Sequence, residues 1–154
     1  MKIMSLAIMI SFCTIGCAVE DSSNEDSPES GVVTQASTSD SFTVKTTDGC
    51  GSVEFVDNGT LNGSTNDDFF LIHDLCSDGH GVRAVISVLD RGDFVNFVTS
   101  PIFNGNGLAG NPVSFDPGDI TAGQVMIVRV CLVDGSGDTT PFNCAVGEHT
   151  SVDG

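Results

Sequence analysis

The segment from Asp74 to Gly81 holds the side chains best suited to chemistry in this chain. Asp74 stands near the end of an apolar run, and Asp78-Gly79-His80-Gly81 follows as a turn-like segment. Two carboxylates and an imidazole that converge could bind a cation or act as acid and base. The competing interpretation is structural, because Asp accepts hydrogen bonds from turn amides, both glycines permit positive φ and His80 can cap a loop. We expect the structural role and keep Asp74, Asp78 and His80 as the candidate cation site.

Two further segments are rich in side-chain oxygens, which are the ligands that calcium prefers. They are Asp134-Gly-Ser-Gly-Asp138 and the run from Asn62 to Asp68. The first lacks the glycine at the sixth position of an EF-hand loop, and it lacks the distal glutamate. We therefore expect plain turns and no cofactor, with a calcium-stabilised binding module as one alternative.

The sequence lacks the common catalytic motifs. No GxSxG, HExxH or SxxK pattern occurs. Residues 105–110 match GxGxxG, but Asn111-Pro112 follows where a dinucleotide site needs a helix, so we expect a loop. With no Trp or Tyr, a sugar-stacking platform is also missing. We predict no catalytic residue, and the alternative is a small secreted hydrolase with its site near the Asp78–Gly81 turn.

The elements that must position these residues are β-strands. Short runs rich in β-branched and aromatic residues alternate with Gly, Asn, Asp and Pro, which is typical of an all-β domain. We expect turns at residues 57–59 and 91–93, and a small antiparallel β-sandwich of immunoglobulin-like or Greek-key type. One face of the fourth run should carry Val82, Ala84, Ile86 and Val88. The predicted strands are Phe42–Thr47, Ser52–Val56, Asp68–Leu75, Val82–Leu89, Phe94–Thr99 and Gln124–Val133.

The first seventeen residues predict export. Lys2 precedes an apolar run of about a dozen residues, which is shorter than the roughly 20 that a spanning helix needs. Thr14-Ile15-Gly16-Cys17 resembles the lipobox of bacterial lipoproteins, although Thr14 replaces the usual Leu. We expect an export signal at 1–16 and a lipid on Cys17, with a simple secretory cleavage as the alternative. Residues 17–41 then form an acidic disordered tether, and 42–154 form the β-sandwich domain.

The remaining cysteines predict two disulfide bonds. Cys50, Cys76, Cys131 and Cys144 allow three pairings, and disulfides persist outside the cytoplasm. We favour Cys131 with Cys144, which ties a strand to the segment after the next loop, and Cys50 with Cys76. A zinc site is the rival interpretation, but no CxxC occurs and the three histidines lack ligand-like spacing.

The charge balance limits the partners. The formal net charge is −16, with 5 basic and 21 acidic residues. Nucleic acid is excluded because its phosphates need a basic surface, and an anionic lipid surface repels such a protein. The predicted membrane contact is therefore the lipid anchor alone, with a protein or surface ligand still to be identified.

One segment has a family resemblance. Phe70-x-Ile72-x-Asp74, followed by Asp78-Gly-His-Gly-Val82, resembles small exported bacterial proteins, common in actinomycetes, with the pattern F-x-V-x-D-x-x-A-D-G-H-G-V. Arg129-Val-Cys131 and the later Cys144 fit the same group, whereas Ser77 replaces its Ala. The resemblance implies export, β-structure and the Cys131–Cys144 pair, and it implies no activity. We expect a non-enzymatic interaction or envelope component outside the cytoplasm.

Overall fold

The computed structural model describes residues 39–97 and 100–152, except for the side chains of 95–97. The predicted export signal, the lipid site at Cys17 and residues 17–38 of the tether lie outside the described residues. Within them the chain is all-β, and no helix is long and apolar enough to cross a membrane. The strands are β1 (Phe42–Lys45), β2 (Gly51–Leu61), β3 (Ser64–Asp74), β4 (Gly81–Asp90), β5 (Asp93–Phe97), β6 (Ile102–Asn104), β7 (Val113–Phe115), β8 (Val125–Val133) and β9 (Phe142–Thr150).

The strands form two antiparallel sheets, which confirms the predicted β-sandwich. One sheet has the order β1-β2-β3-β7 and the other has the order β5-β4-β8-β9. β6 also pairs with β4, opposite Val82–Ala84, while β5 pairs with its Ser87–Asp90 end. A single edge of β4 is thus covered by two short strands in succession.

The core lies between the sheets because alternate residues of each strand point inward. The predicted face of β4 is correct: Val82, Ala84, Ile86 and Val88 are all buried. The opposing sheet contributes Phe55 and Phe70, whose ring centroids are 5.0 Å apart. The remaining buried apolar side chains of the cluster are Val44, Val53, Ile72, Ile120, Met126, Val128, Val130 and Leu132.

The β2–β3 hairpin corrects one predicted turn. Residues 57–59 do not end a strand, since β2 continues to Leu61. The turn lies instead at Asn62 and Gly63, with φ of 52° and 83°. Positive φ at both central residues is the two-residue hairpin geometry that Asn-Gly favours. The predicted turn at residues 91–93 is confirmed, with Arg91 and Gly92 between β4 and β5.

Three observed strands are additional to the six predicted ones. β6 and β7 are each three residues long, which is too short for a periodic pattern. β9 has Gly147 against Val44 and His149 against Phe42, so its inward side lacks the apolar alternation that predicts a strand. Pairing along the whole of β8 nevertheless holds β9 in the sheet.

Both predicted disulfides are confirmed. Cys50 and Cys76 join the segments that lead into β2 and out of β3. Cys131 of β8 is bonded to Cys144 of β9, and the two α-carbons are 4.1 Å apart. Each bond links neighbouring strands, so the disulfides brace pairings that the sheets already make.

Candidate functional site

A pocket of about 400 Å³ opens at one end of the sandwich, where three connections meet. They are the β3–β4 turn, the β6–β7 loop and the β8–β9 loop. The strands that flank these loops belong to both sheets, and the disulfides link neighbouring strands. The positions of the loops around the pocket are therefore set by the sheets. Its lining consists of Asp74, Cys76, Ser77, Gly79, His80, Gly81, Phe103, Gly105, Asn106, Gly107, Asp134 and Gly135.

His80 is held in the pocket wall by Asp134. Its Nδ1 lies 2.6 Å from Asp134 Oδ1, across a separation of 54 residues in the chain. An ionised carboxylate can only accept, so Nδ1 carries the proton and donates it. The ring also stands edge-on against Phe142, at 5.0 Å between centroids. In the neutral ring with its proton on Nδ1, Nε2 is a hydrogen-bond acceptor.

The loop that carries Asp134 is fixed by hydrogen bonds to its backbone. Arg83 Nη2 donates to Ser136 O at 2.9 Å. Asp138 accepts from the amides of Asp134 and Thr140, at 3.0 and 2.8 Å. These amides, with the Thr140 hydroxyl, lower the pKa of Asp138 to about 2. Asp138 therefore stabilises the conformation of the loop that contains Asp134.

Asp74 forms the buried floor of the pocket. It is only 6% exposed, and its Oδ2 accepts from the amide of Gly107 at 3.0 Å. The β6–β7 loop is positioned next to it by Asn104, whose Nδ2 donates to Ile72 O at 2.7 Å. The predicted loop at residues 105–110 is confirmed, and its Gly-rich start borders the pocket.

Asp78 serves the turn, as the structural interpretation predicts. Its Oδ1 accepts from the amide of His80 at 3.0 Å, and Gly79 between them has φ of 85°. Asp78 does not line the pocket, so the structure brings Asp74 and His80 together without it. The expectation of positive φ at Gly81 is wrong. A Cβ on Gly81 would stand 2.5 Å from the Phe103 ring. Glycine is therefore required at this position because the ring leaves no room for a side chain.

In the described part of the chain, the residues of the two oxygen-rich segments make other contacts. Asp134 is engaged with His80 and Asp138 with amides, while Asn62 makes the β2–β3 turn. A single set of three His, Cys, Asp or Glu donors in the described residues lies within 4.8 Å: Cys50, Cys76 and Asp78. The two sulfurs of that set are joined in a disulfide and offer no thiolate.

No protein-family model, curated protein or solved structure matches this chain. The interpretation of the pocket therefore rests on its own geometry. Asp134 is the pocket residue whose role the sequence analysis missed, since we considered it only as a calcium ligand. Asp134 directly follows the predicted strand Gln124–Val133, and this position indicates that it lies at an end of the sheet.

Proposed function

We propose that the chain is an exported, lipid-anchored binding protein that takes a small ligand into the His80 pocket. The observation that carries the proposal is the 2.6 Å contact between His80 and Asp134 in the wall of a 400 Å³ pocket. Pockets with a few oriented polar groups on a rigid scaffold are the usual form of small-molecule sites. The two disulfides support an oxidising location outside the cytoplasm.

The ligand that fits best carries a positive charge. The lining includes the carboxylates of Asp74 and Asp134, and it includes no Lys or Arg. Nε2 of His80 adds an acceptor for an N–H or O–H group. The acidic charge of the whole chain favours the approach of a cation over long range.

Titration calorimetry of the full chain tests this proposal. The probes are a primary amine (cadaverine), a guanidinium compound (agmatine) and a quaternary ammonium (choline). We expect at least one of them to bind with one-to-one stoichiometry and His80→Ala to weaken it at least tenfold. His73→Ala is the matched control, because His73 pairs with Glu54 at 3.2 Å outside the pocket. Lack of binding by all three probes, or equal losses in both variants, would contradict the proposal.

Hydrolysis is the second candidate function, and one observation favours it. Asp134 orients His80 through Nδ1, which is the arrangement that makes Nε2 a general base. Ser77 lines the same pocket, but it makes no hydrogen bond to the ring in the described structure. Turnover of p-nitrophenyl acetate that disappears in both Ser77→Ala and His80→Ala would establish the hydrolase. Unchanged turnover in Ser77→Ala would exclude this serine.

The anchor is tested separately from the pocket. We expect the intact mass of the membrane fraction to include a diacylglyceryl adduct on Cys17. Cys17→Ser should release the protein from that fraction without changing the unfolding midpoint of the domain. A mature chain that begins after Cys17 would contradict lipidation and leave the pocket proposal standing.

A further inference from the structure

The floor of the His80 pocket is a buried carboxylate. Asp74 is 6% exposed, whereas the side chain of Asp134 in the same lining is 68% exposed. Oδ2 of Asp74 accepts from the amide of Gly107, which is a neutral donor, at 3.0 Å. None of the ion pairs in the described part of the chain includes Asp74. A buried charge is costly without a counter-charge, so a cation inside the pocket would stabilise Asp74.

The kind of cation follows from the hydrogen bonds that Asp74 can accept. An ionised carboxylate has about four acceptor positions and no donor. A primary ammonium has three N–H donors and forms charge-assisted hydrogen bonds, whereas a quaternary ammonium has no donor. Quaternary ions are held instead by several aromatic faces. Among the described residues that line the pocket, Phe103 supplies the single benzene ring, so the floor favours a primary ammonium.

The ring of Phe103 forms an apolar surface in the lining. It lies against the backbone at two glycines, because a Cβ would stand 2.5 Å from the ring at Gly81 and 2.7 Å from it at Gly105. A carbon chain that packs on this ring removes apolar area from water. The pocket therefore favours an organic cation with an apolar segment over a bare metal ion.

A second acceptor lies in the pocket wall. Asp134 holds His80 through Nδ1 at 2.6 Å, and Nε2 is the acceptor in that neutral ring. The side chain of His80 is 35% exposed and lines the same pocket as Asp74. A hydroxyl or amino group at the far end of a ligand can donate to Nε2. The pocket thus combines two separate acceptors with one apolar ring.

We propose that the ligand is a bifunctional primary amine, whose ammonium binds to Asp74, whose carbon chain packs on Phe103 and whose terminal hydroxyl or amino group donates to Nε2 of His80. Amino alcohols and diamines with an unbranched carbon chain belong to this class. The inference rests on the proposed function, because it names the class of cation that the pocket takes. A volume of about 400 Å³ lies within the range of small-ligand pockets.

Titration calorimetry of the full chain with a matched set of ligands tests the proposal. The probes are 5-amino-1-pentanol, its N,N,N-trimethyl derivative, pentylamine and cadaverine. The trimethyl derivative keeps the charge and loses the N–H donors, so it should bind at least about tenfold more weakly than 5-amino-1-pentanol. Pentylamine ends in a methyl group that cannot donate to His80, so it should also bind at least about tenfold more weakly. Cadaverine should bind like 5-amino-1-pentanol.

Two variants separate the two ends of the ligand. Asp74→Asn removes the charge and keeps an oxygen for the Gly107 amide, and it should weaken every amine at least about tenfold. His80→Ala should reduce the affinity for 5-amino-1-pentanol to that for pentylamine and leave pentylamine binding unchanged. Asp78→Asn is the matched control, because Asp78 lies in the same turn as His80 but outside the pocket lining. The control removes the same charge and should leave all affinities unchanged.

The opposite results overturn the proposal, and two of them need no variant. Equal affinities of the wild type for 5-amino-1-pentanol and its trimethyl derivative would mean that Asp74 does not bind an ammonium. Equal affinities for 5-amino-1-pentanol and pentylamine would remove the contact with His80. Binding of agmatine or choline that His80→Ala weakens would leave the proposed cation pocket standing in both cases. Lack of binding by every amine, agmatine and choline would contradict the proposed function itself.

Discussion

Asp134 holds the imidazole of His80 at 2.6 Å and so joins the β8–β9 loop to the β3–β4 turn across the pocket. Both side chains are partly open to solvent, at 68% and 35% exposure. Ion pairs near the surface contribute about 0–1 kcal/mol to the free energy of unfolding. The main effect of the contact is therefore to orient the imidazole of His80.

The first prediction is that His80→Ala leaves the domain folded. Because the pair is exposed and the turn is fixed by Asp78, the free energy of unfolding should change by less than about 1 kcal/mol. Urea unfolding of His80→Ala and of the control His73→Ala measures it. A loss above about 2 kcal/mol in His80→Ala alone would mean that the ring is a structural element.

The second prediction concerns Gly79, which has φ of 85° and open space around its missing Cβ. Gly79→Val should cost about 1–3 kcal/mol, because a β-branched residue is strained at positive φ. Gly137 is the matched control, since it also has open space and its φ is not positive. If Gly137→Val destabilises the domain as much as Gly79→Val, backbone strain is not the cause.

The third prediction is a pH dependence from Asp68. Its folded pKa of about 6 lies above the ordinary 3.8, so the native state binds this proton more tightly than the unfolded chain. The free energy of unfolding should therefore fall as the pH rises from about 4 to about 6, by at most about 3 kcal/mol. Burial is the main cause; the hydrogen bond from the Ile120 amide lowers the pKa, and the charges of Asp67, Asp57 and Asp40 raise it further.

Urea unfolding between pH 4 and pH 8 measures this dependence. Asp68→Asn keeps an acceptor for the Ile120 amide and removes the charge, so it should be more stable than wild type at pH 7. Its free energy of unfolding should also lose most of the decrease between pH 4 and pH 6. The same pH profile in Asp68→Asn and wild type would assign the titration to another group.

The fourth prediction concerns the contribution of the two disulfides to stability. Cys50–Cys76 closes a separation of 26 residues and Cys131–Cys144 one of 13. Loop-closure entropy then gives about 3.5 and 3 kcal/mol respectively. The double variants Cys50→Ala/Cys76→Ala and Cys131→Ala/Cys144→Ala should lose comparable stability in urea unfolding. A loss below about 1 kcal/mol in either variant would contradict the entropic argument for that bond.

The sequence predicts best where one local pattern decides the structure. The alternation of Val82 to Val88 identifies the inward face of β4, and Arg91-Gly92 identifies its turn. The turn predicted at residues 57–59 is wrong because Asp-Asn-Gly is common in turns, whereas here pairing with β3 continues β2 through these residues. Propensity within a few residues cannot anticipate pairing with a distant strand.

The candidate site, like other contacts between distant segments, is predicted less well. The local hydrogen bond from the His80 amide to Asp78 follows from the Asp-Gly-His spacing. The partners Asp134 of His80 and Val152 of Asp40 are 54 and 112 residues away. Asp40 lies within the stretch assigned to the tether from its acidic composition, yet it is buried. Composition describes the average of a segment and misses one buried side chain.

The last prediction tests how the two sheets meet at their edge strands. A Cβ on Gly147 of β9 would collide with Cγ2 of Val44 on β1. Val44 is buried in the core, so it has little room to move. Gly147→Ala should therefore cost about 1–3 kcal/mol through overpacking.

Val44→Ala removes the methyl groups that Gly147→Ala would meet, so the two changes should compensate. We expect the double variant to lose less stability than the sum of the single variants, with a coupling of about 0.5–3 kcal/mol in a double-mutant cycle. Gly137→Ala is the control partner, because nothing lies near its missing Cβ and it should add independently to Val44→Ala. Additive losses for Gly147→Ala and Val44→Ala in urea unfolding would mean that β9 does not press on β1 at this point.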